Sequence, residues 1–389
     1  MSSHQLEIAV PNWVDRHLPA EAFLATARAI AASEDVDYMQ LWDQMTFLLP
    51  RSLWTPSITP MATVLPDVDS FPDWFVMAAY AAQACPELGI MISTDGIRRG
   101  PAEFTQTALT LANITKGRLQ IHLGGGEVKQ CKPFGWKRAE GLDRLEDQLR
   151  IFHEFMNNQD PITFSGNHWQ LDNAFIGNGA KQYRPQLWTM GGGPRLMDIA
   201  TKHADGFGTC VPWVWSSPEQ CAEGIADIKR TLEANGRDPE SFRFGVWAGL
   251  LVHEDPKKID QGLNNPIIRW LTAVFGRIIQ SDWLKEGIEP PFPPNYHYAI
   301  KLLPMKIDAS ETQEVLRRVT RTMAERSWIC GTPEEVADQV QGYIDAGASW
   351  VSLMDCLPLT LEPADAADGL RRSLEISKRL KANVVASVR

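Results

Sequence analysis

The strongest constraint on the fold is an alternation of short apolar runs with longer amphipathic segments, which continues along the whole sequence. The short runs have the length and composition of buried strands, and they lie at residues 6–11, 38–42, 88–93, 119–124, 187–191, 206–211, 242–253 and 350–355. Between them, apolar residues recur at helical spacing over residues 21–32, 74–84, 102–115, 138–156, 195–203, 218–234 and 334–346. Eight strands alternating with helices predict the α/β class and, within it, a (β/α)8 TIM barrel.

The length of the chain leaves room for insertions in such a barrel. A TIM barrel takes about 250 residues, so about 140 of the 389 residues are surplus. The surplus falls in a Pro-bearing loop (50–71), a Gly/Asn/Trp-rich stretch (159–185) and a long irregular segment (254–327). We expect one domain over residues 1–389, with 254–327 inserted over the barrel mouth. A doubly wound sheet is less favoured because no G-X-G-X-X-G motif follows the first strand.

Composition restricts the partners and the compartment. The 38 basic and 48 acidic residues give a net charge of −10, which disfavours nucleic acid and favours a small-molecule ligand. No apolar window of about 18 residues predicts a membrane span, and the first residues lack a secretory signal pattern. Six scattered cysteines without C-X-X-C spacing, and histidines without neighbouring ligands, predict neither disulfides nor a metal site. We expect a cytoplasmic protein.

Two glycine runs end successive strands of the expected barrel, where the functional groups of this fold lie. Glycines at 191–193 lead through Pro194 into a helix, so their N–H groups are suited to cradle a phosphate. A tight strand-to-helix turn is the alternative explanation. Glycines at 124–126 precede Glu127, which is either a proton donor at the mouth or an N-cap acceptor.

Basic and aromatic residues also concentrate in the loops after the strands. Each cation alone is typical of a solvated surface, but together they indicate an acidic ligand at the mouth; they are Arg51, Arg98, Arg99, Lys129, Lys132, Lys137, Arg138 and Arg195. The chain has 14 tryptophans, of which Trp13, Trp42, Trp54, Trp213 and Trp215 fall at or beyond strand ends. From these we predict an aromatic substrate pocket that includes Trp13, Trp213 and Trp215.

The order of several motifs resembles a known family. They lie at residues 42–44, 50–52, 107–118, 123–127, 192–194, 204–207 and 331–335, and the likeness runs from residue 5 to about residue 380. The sequence resembles the bacterial luciferase-like superfamily of (β/α)8 flavin and deazaflavin oxidoreductases. Within its branch that uses the deazaflavin coenzyme F420, the chain is most similar to the phthiodiolone ketoreductase type.

The resemblance implies roles for particular residues. Asp43 would touch the deazaflavin ring system, Thr94 and the 191–193 backbone would hold the coenzyme, and Glu127 would lie beside the reacting carbon. Further coenzyme contacts are implied at Met91, Ile92, Gly125, Gly126, Gln130, Met190, Gly191, Gly192 and Gly193. The resemblance also implies a non-prolyl cis peptide bond between Met91 and Ile92, as a bulge behind the ring.

Two departures from the family pattern restrict the chemistry. Gln44 stands where characterised deazaflavin dehydrogenases have a catalytic histidine, and an amide cannot take a proton at neutral pH. The proton must then move through Glu127, Asp15, a water molecule or the substrate itself. The lysine that binds sugar phosphate in a glucose-6-phosphate dehydrogenase relative aligns near Trp213, so a sugar phosphate is disfavoured.

Together these features predict hydride transfer between F420 and a carbonyl, alcohol or activated alkene of a lipophilic substrate. Gln44 would polarise the substrate oxygen and Glu127 would supply or relay the proton. One alternative is an FMN-dependent monooxygenase of the same superfamily. Another, from a different class, is a non-catalytic barrel that binds the coenzyme without turnover. Pairing into a homodimer is consistent with the family.

Overall fold

Eight parallel strands close into a barrel in the computed structural model, which describes residues 5–387. The strands are β1 Glu7–Pro11, β2 Tyr38–Trp42, β3 Gly89–Asp95, β4 Leu119–Gly124, β5 Ile162–Ser165, β6 Gln170–Ala174, β7 Gln186–Met190, β8 Gly206–Val211, β9 Arg243–Val252, β10 Ile329–Gly331 and β11 Trp350–Asp355. The barrel order is β1-β2-β3-β4-β7-β8-β9-β11, closed by pairing of β11 with β1. The predicted (β/α)8 barrel is confirmed.

Helices surround the barrel and cover its mouth. They are α1 Ala20–Ala31, α2 Trp74–Ala84, α3 Pro101–Ile114, α4 Val128–Cys131, α5 Gly141–Asn157, α6 Pro194–His203, α7 Pro218–Ala234, α8 Pro256–Asn264, α9 Pro266–Phe275, α10 Ser281–Lys285, α11 Tyr298–Lys301, α12 Ala309–Arg318, α13 Arg321–Ser327, α14 Pro333–Asp345, α15 Pro363–Ala367 and α16 Gly369–Ser387. Among the described residues, no helix is long and apolar enough to cross a membrane.

The barrel interior is filled by aromatic rings at its centre. His122 stacks on Trp188 at a centroid distance of 4.8 Å and lies 4.9 Å from the ring of Trp350. The large indole of Trp188 fits because a Cβ on Gly206 or Gly245 would come within 2.6 Å or 2.8 Å of it. Part of the tryptophan excess therefore packs the core, since the fully buried side chains include Trp74, Trp188, Trp270, Trp283 and Trp350.

The insertions are more regular than the sequence indicated. Residues 254–327, expected to be irregular, form the six helices α8–α13, and α9 contributes buried apolar residues to a second core over the strand ends. The stretch 159–185, for which the sequence predicted no strand, contains the antiparallel hairpin β5–β6. The short strand β10 extends the sheet by pairing with the end of β9. Both β9 and the insertion thus rise above the barrel and enclose its C-terminal end.

Candidate active site at the barrel mouth

The carboxylate of Asp43 is fixed at the ends of β2 and β3. Its Oδ2 accepts a hydrogen bond from Thr94 Oγ1 at 2.7 Å and lies 3.0 Å from Nη2 of Arg98. Arg98 also pairs with Asp95 at 2.5 Å, and all four residues are largely buried. Asp43 and Thr94, two of the predicted coenzyme contacts, therefore form one ion-paired and hydrogen-bonded unit with an arginine that the sequence marked only as a loop cation.

Lys129 is the centre of a second cluster. Its ammonium is 2% exposed and lies 2.8 Å from Glu127 Oε2. It also donates to Gln44 Oε1 at 3.3 Å and to the carbonyl of Thr46 at 2.8 Å. Burial lowers the pKa of Lys129, and the Glu127 charge opposes that shift. The lysine thus brings the predicted proton donor and the predicted carbonyl-polarising amide to one point.

This contact fixes the orientation of the Gln44 amide. A lysine ammonium only donates hydrogen bonds, so the amide oxygen of Gln44 must face Lys129. The NH2 end then has no partner among residues 5–387 and is free to donate. The neighbouring loop is held separately by Gln130, whose Oε1 accepts from the N–H of Met45 at 2.8 Å and whose Nε2 donates to Thr46 at 3.1 Å.

The insertion adds Tyr298, at the start of α11, to the site. Burial raises the pKa of Tyr298 well above its ordinary value, and the adjacent Glu127 charge raises it further. The tyrosine ring packs edge-on against Phe275 at 5.1 Å, and Phe275 stacks on Trp213 at 4.6 Å. An aromatic wall from the insertion therefore stands beside Glu127, and its position could not be read from sequence order.

The glycine turn before α6 fits a phosphate group. Gly191 has a φ of +154°, and a Cβ there would lie 2.5 Å from Leu196. A Cβ on Gly192 would lie 2.8 Å from Val214, so packing explains these two glycines. Gly193 is different because nothing lies within 4 Å of its Cβ position, and α6 has no side-chain cap at its N-terminus. The open space and uncapped N–H groups suit an anion.

The second glycine turn, after β4, is closely packed. A Cβ on Gly125 would come within 2.9 Å of Leu142 Cδ2. Gly126 has a φ of +82°, and its Cβ position lies 2.7 Å from Ile97. This backbone is needed to turn the chain from β4 into α4, which places Glu127 and Lys129 next to each other.

Other predicted site residues lie apart from the lysine cluster. Asp15 is 1% exposed, and its Oδ1 lies 2.5 Å from Nδ1 of His17. The contacts found for Asp15 in the described part of the chain do not reach Glu127 or Gln44.

Met91 and Met190 belong to the core cluster inside the barrel and under the insertion, whereas Ile92 belongs to the cluster between the strands and the outer helices.

The three predicted pocket tryptophans occupy different surroundings. Trp213 is buried, and its indole N–H donates to the carbonyl of Ser327 at 2.6 Å. Trp13 contacts Phe71 edge-on at 6.4 Å. Trp215 packs beside Phe207 at 6.1 Å and over Gly224 of α7, where a Cβ would lie 2.4 Å from its ring. The structure does not bring these three indoles together in one wall.

The prediction of a cis peptide bond between Met91 and Ile92 was wrong. In the described part of the chain the cis bond is Val211–Pro212, so the bond at Met91–Ile92 is trans. Both residues lie in the regular part of β3 and pair in register with β2 and β4.

The fold and the site define a (β/α)8 barrel enzyme with a buried lysine, a carboxylate and an oriented amide at its mouth. The model of the luciferase-like monooxygenase family matches residues 30–349 of the sequence. The chain belongs to that family.

Individual relatives agree with this membership. The phthiodiolone/phenolphthiodiolone dimycocerosates ketoreductase of Mycobacterium tuberculosis is 25% identical over 346 residues, which cover 87% of each chain. The F420-dependent glucose-6-phosphate dehydrogenase of Kineococcus radiotolerans is 24% identical over 67% of this chain and 69% of its own. The solved structure of an F420-dependent secondary alcohol dehydrogenase, in complex with an F420-acetone adduct, has a TM-score of 0.69 at 18% identity. It covers 97% of this chain and 99% of its own, and it supports the fold.

Proposed function

We propose that this protein is an F420-dependent oxidoreductase that transfers hydride between the coenzyme and a carbonyl, alcohol or activated alkene of a lipophilic substrate. The observation that carries the proposal is the contact of Lys129 with both Gln44 and Glu127. It places an oriented hydrogen-bond donor and a carboxylate at the same end of the barrel. Support for the coenzyme comes from an F420-dependent relative, and support for the reaction comes from a ketoreductase relative aligned over most of its length.

The residues present fit a phosphate-bearing coenzyme. The N–H groups at Gly193 and the N-terminus of α6 would hold its phosphate, and Asp43 with Thr94 would contact its ring system. When bound, F420 supplies the hydride chemistry, while the protein supplies position and electrostatics.

Gln44 polarises the substrate oxygen. Its NH2 group donates a hydrogen bond to the carbonyl oxygen, and this bond strengthens as negative charge develops on that oxygen. Lys129 keeps the donor end of the amide directed away from itself. Because an amide does not release a proton at neutral pH, Gln44 stabilises the charge without moving the proton.

Glu127 handles the proton in this scheme. It lies at the mouth, 26% exposed, between the Lys129 ammonium and Tyr298. In the reducing direction it passes one proton to the oxygen of the product, and in the oxidising direction it accepts that proton. Asp15 has no contact with this cluster in the described residues, so Glu127 is the carboxylate we assign to the step.

The aromatic wall supports an apolar substrate. Phe275 and Trp213 stack at 4.6 Å on the insertion side of the mouth. Rings of this kind bury apolar surface, and they offer no charge to a sugar phosphate. We therefore propose a long-chain or ring-bearing ketone, alcohol or enone as the substrate.

Anaerobic titration tests the coenzyme and the reaction together. The protein is titrated with F420 and with FMN while fluorescence is followed, and the F420 complex is then mixed with ketones, alcohols and enones while the coenzyme absorbance is recorded. The proposal expects F420 binding and an absorbance change with at least one apolar substrate.

Two other results would replace the proposal. Preferential FMN binding with oxygen-dependent turnover would favour a monooxygenase, the activity that the description of the family model names. F420 binding without turnover across the panel would favour a non-catalytic barrel.

A further inference from the structure

Ion pairing separates the basic residues expected at the mouth into two groups. Five have carboxylate partners, namely Arg98 with Asp43 and Asp95, Arg99 with Asp73, Lys129 with Glu127, Lys137 with Glu140, and Arg195 with Asp143. Among residues 5–387, no ion-pair partner is found for Arg51, Lys132 or Arg138. Arg51 and Lys132 are exposed to solvent, whereas Arg138 is half-buried. Arg138 is therefore the one of these three cations that is withdrawn from solvent and also lacks a direct ion-pair partner in the described part of the chain.

The guanidinium of Arg138 lies beside the glycine turn that precedes Glu127. Its Nη2 would be 3.4 Å from a Cβ on Gly125. Its Nε is buried and has no hydrogen-bond partner within the described part of the chain. Burial lowers the pKa of Arg138, although a guanidinium remains charged in proteins. A charged donor in this state is costly until an acceptor reaches it.

His297 of the insertion is a second group without a partner, and it lies near Glu127 because it stacks on Tyr298, which contacts that carboxylate. Its Nδ1 is buried without a hydrogen-bond partner among the described residues. Burial lowers the pKa of His297, and the neighbouring charge of Arg138 lowers it further. The imidazole is therefore neutral near pH 7 and has one ring N–H to donate. Its ring stacks on Tyr298 at 5.6 Å, which fixes its orientation.

We propose that Arg138 and His297 form a binding site for an anionic oxygen group, a carboxylate or a phosphate, of the molecule that occupies the barrel mouth. The two residues come from opposite sides, one from the connection between β4 and α5 and the other from the insertion. A guanidinium offers two parallel N–H groups to such an anion, and the imidazole adds a third donor. The negative charge of Glu127 does not prevent this, because Lys129 lies 2.8 Å from it.

The source of the anion is one of two molecules. It is either the acidic part of the coenzyme, beyond the phosphate assigned to the turn before α6, or an acidic group on the substrate. Only the choice between these sources rests on the proposed function, since the two unpartnered donors exist whatever the reaction is.

Binding measurements on the full-length protein separate the sources. The variants are Arg138→Gln, His297→Phe, which keeps a ring against Tyr298, and Lys132→Gln as an exposed control in the same loop. Each is titrated with F420 and with the deazaflavin chromophore that lacks phosphate and glutamates. Glutarate and inorganic phosphate are then titrated by calorimetry into the protein, with and without F420.

A coenzyme source predicts that Arg138→Gln weakens F420 about 10- to 100-fold and leaves the affinity for the bare chromophore unchanged. His297→Phe should have a smaller effect in the same direction. A substrate source predicts unchanged F420 affinity, together with millimolar binding of glutarate or phosphate that Arg138→Gln abolishes. Either result supports the site.

The proposal is overturned if Arg138→Gln changes none of these affinities, or if Lys132→Gln changes them equally. Should the wild-type protein fail to bind F420, the proposed function fails. The glutarate and phosphate titrations then still decide whether the anion site exists.

Discussion

The centre of the barrel and its mouth both bury a titratable side chain, but only the mouth supplies that side chain with hydrogen-bond partners. At the centre, His122 is surrounded by indoles and has no hydrogen-bond partner among the described residues, and burial lowers its pKa to about 3. At the mouth, Lys129 is equally buried, yet it has three acceptors within 3.3 Å. A buried histidine without partners is neutral, and its ring then contributes to packing like an apolar side chain. A buried group with partners is held in one orientation by them and can direct its neighbours.

The largest expected effect comes from removing the carboxylate at the mouth. Glu127→Gln keeps the shape of the side chain but cannot carry the proton, so kcat should fall about 10²- to 10⁴-fold with F420 affinity retained. Steady-state kinetics and a fluorescence titration measure the two quantities. Glu140→Gln, which alters a carboxylate paired with Arg144 on α5, is the matched control. Full activity in Glu127→Gln would remove Glu127 from the mechanism.

The pairing of Gln44 with Lys129 gives the next largest effect. Gln44→Leu removes one donor to the developing charge and should lower kcat about 10²- to 10³-fold. Lys129→Met releases the amide, so it should lower kcat by a similar or smaller factor. Because the two residues act as one unit, the double variant should be no slower than the worse single variant. Lys132→Met controls for loss of a loop lysine, and multiplicative effects in the double variant would show that the two residues act independently.

A third comparison separates ligand binding from packing within the turn before α6. Gly193→Ala adds a methyl group in open space, so the melting temperature should stay unchanged while F420 affinity falls about 10-fold through a blocked approach to the N–H groups. Gly191→Ala should instead lower the melting temperature, because its φ is +154° and Leu196 lies in the way. Thermal denaturation with and without F420 measures both. Equal F420 affinity in Gly193→Ala and the wild type would assign the turn to backbone geometry alone.

The smallest effect on activity is expected at the barrel centre. His122→Leu should leave kcat and its pH profile unchanged near neutrality, because His122 is already uncharged there. The effect of this substitution should instead be seen in how the free energy of unfolding depends on pH. The folded pKa of about 3 is below the ordinary value of 6.5, so from pH 6.5 downward the unfolded chain binds one more proton and stability falls with pH.

Urea unfolding at two pH values measures that dependence. Between pH 6.5 and pH 5, the wild type should lose about 1.6 kcal/mol more than His122→Leu, because the slope rises toward about 1.4 kcal/mol per pH unit only as the unfolded histidine becomes fully protonated. Groups common to both proteins cancel in the difference. An equal loss in the two proteins would mean that His122 has a partner in the folded state.

Much of the fold follows from local signals in the sequence. The strand pattern at residues 38–42 and the helix at 74–84 agree with β2 and α2, because apolar spacing and burial coincide there. Thr332 caps α14 in a capping box with Glu335, as S/T-X-X-E spacing predicts. The helices of the insertion also had readable signals, since Asp308 and Glu311 form the same box on α12.

The site was only partly readable for a physical reason. Glu127 and Gln44 follow strand ends, and the barrel brings strand ends together whatever the loops do. The contact between Lys129 and Gln44 joins residues 85 positions apart, and Tyr298 reaches Glu127 only because the insertion folds back. Such contacts depend on loop conformations that are determined by tertiary packing, so they cannot be predicted from the spacing of residues in the sequence.

The glycines beneath Trp188 have a consequence for how the sequence can change over generations. The indole of Trp188 is the nearest obstacle to a side chain at position 206 or 245, followed by the carbonyl of Arg243 at 2.9 Å from a Cβ on 206 and the ring of Trp350 at 3.0 Å from a Cβ on 245. Homologous barrels in which position 188 carries a smaller residue should therefore accept alanine at 206 and 245 more readily than those that keep the indole. The three positions are therefore expected to change together in evolution, because a substitution at one of them alters which residues the other two can accept.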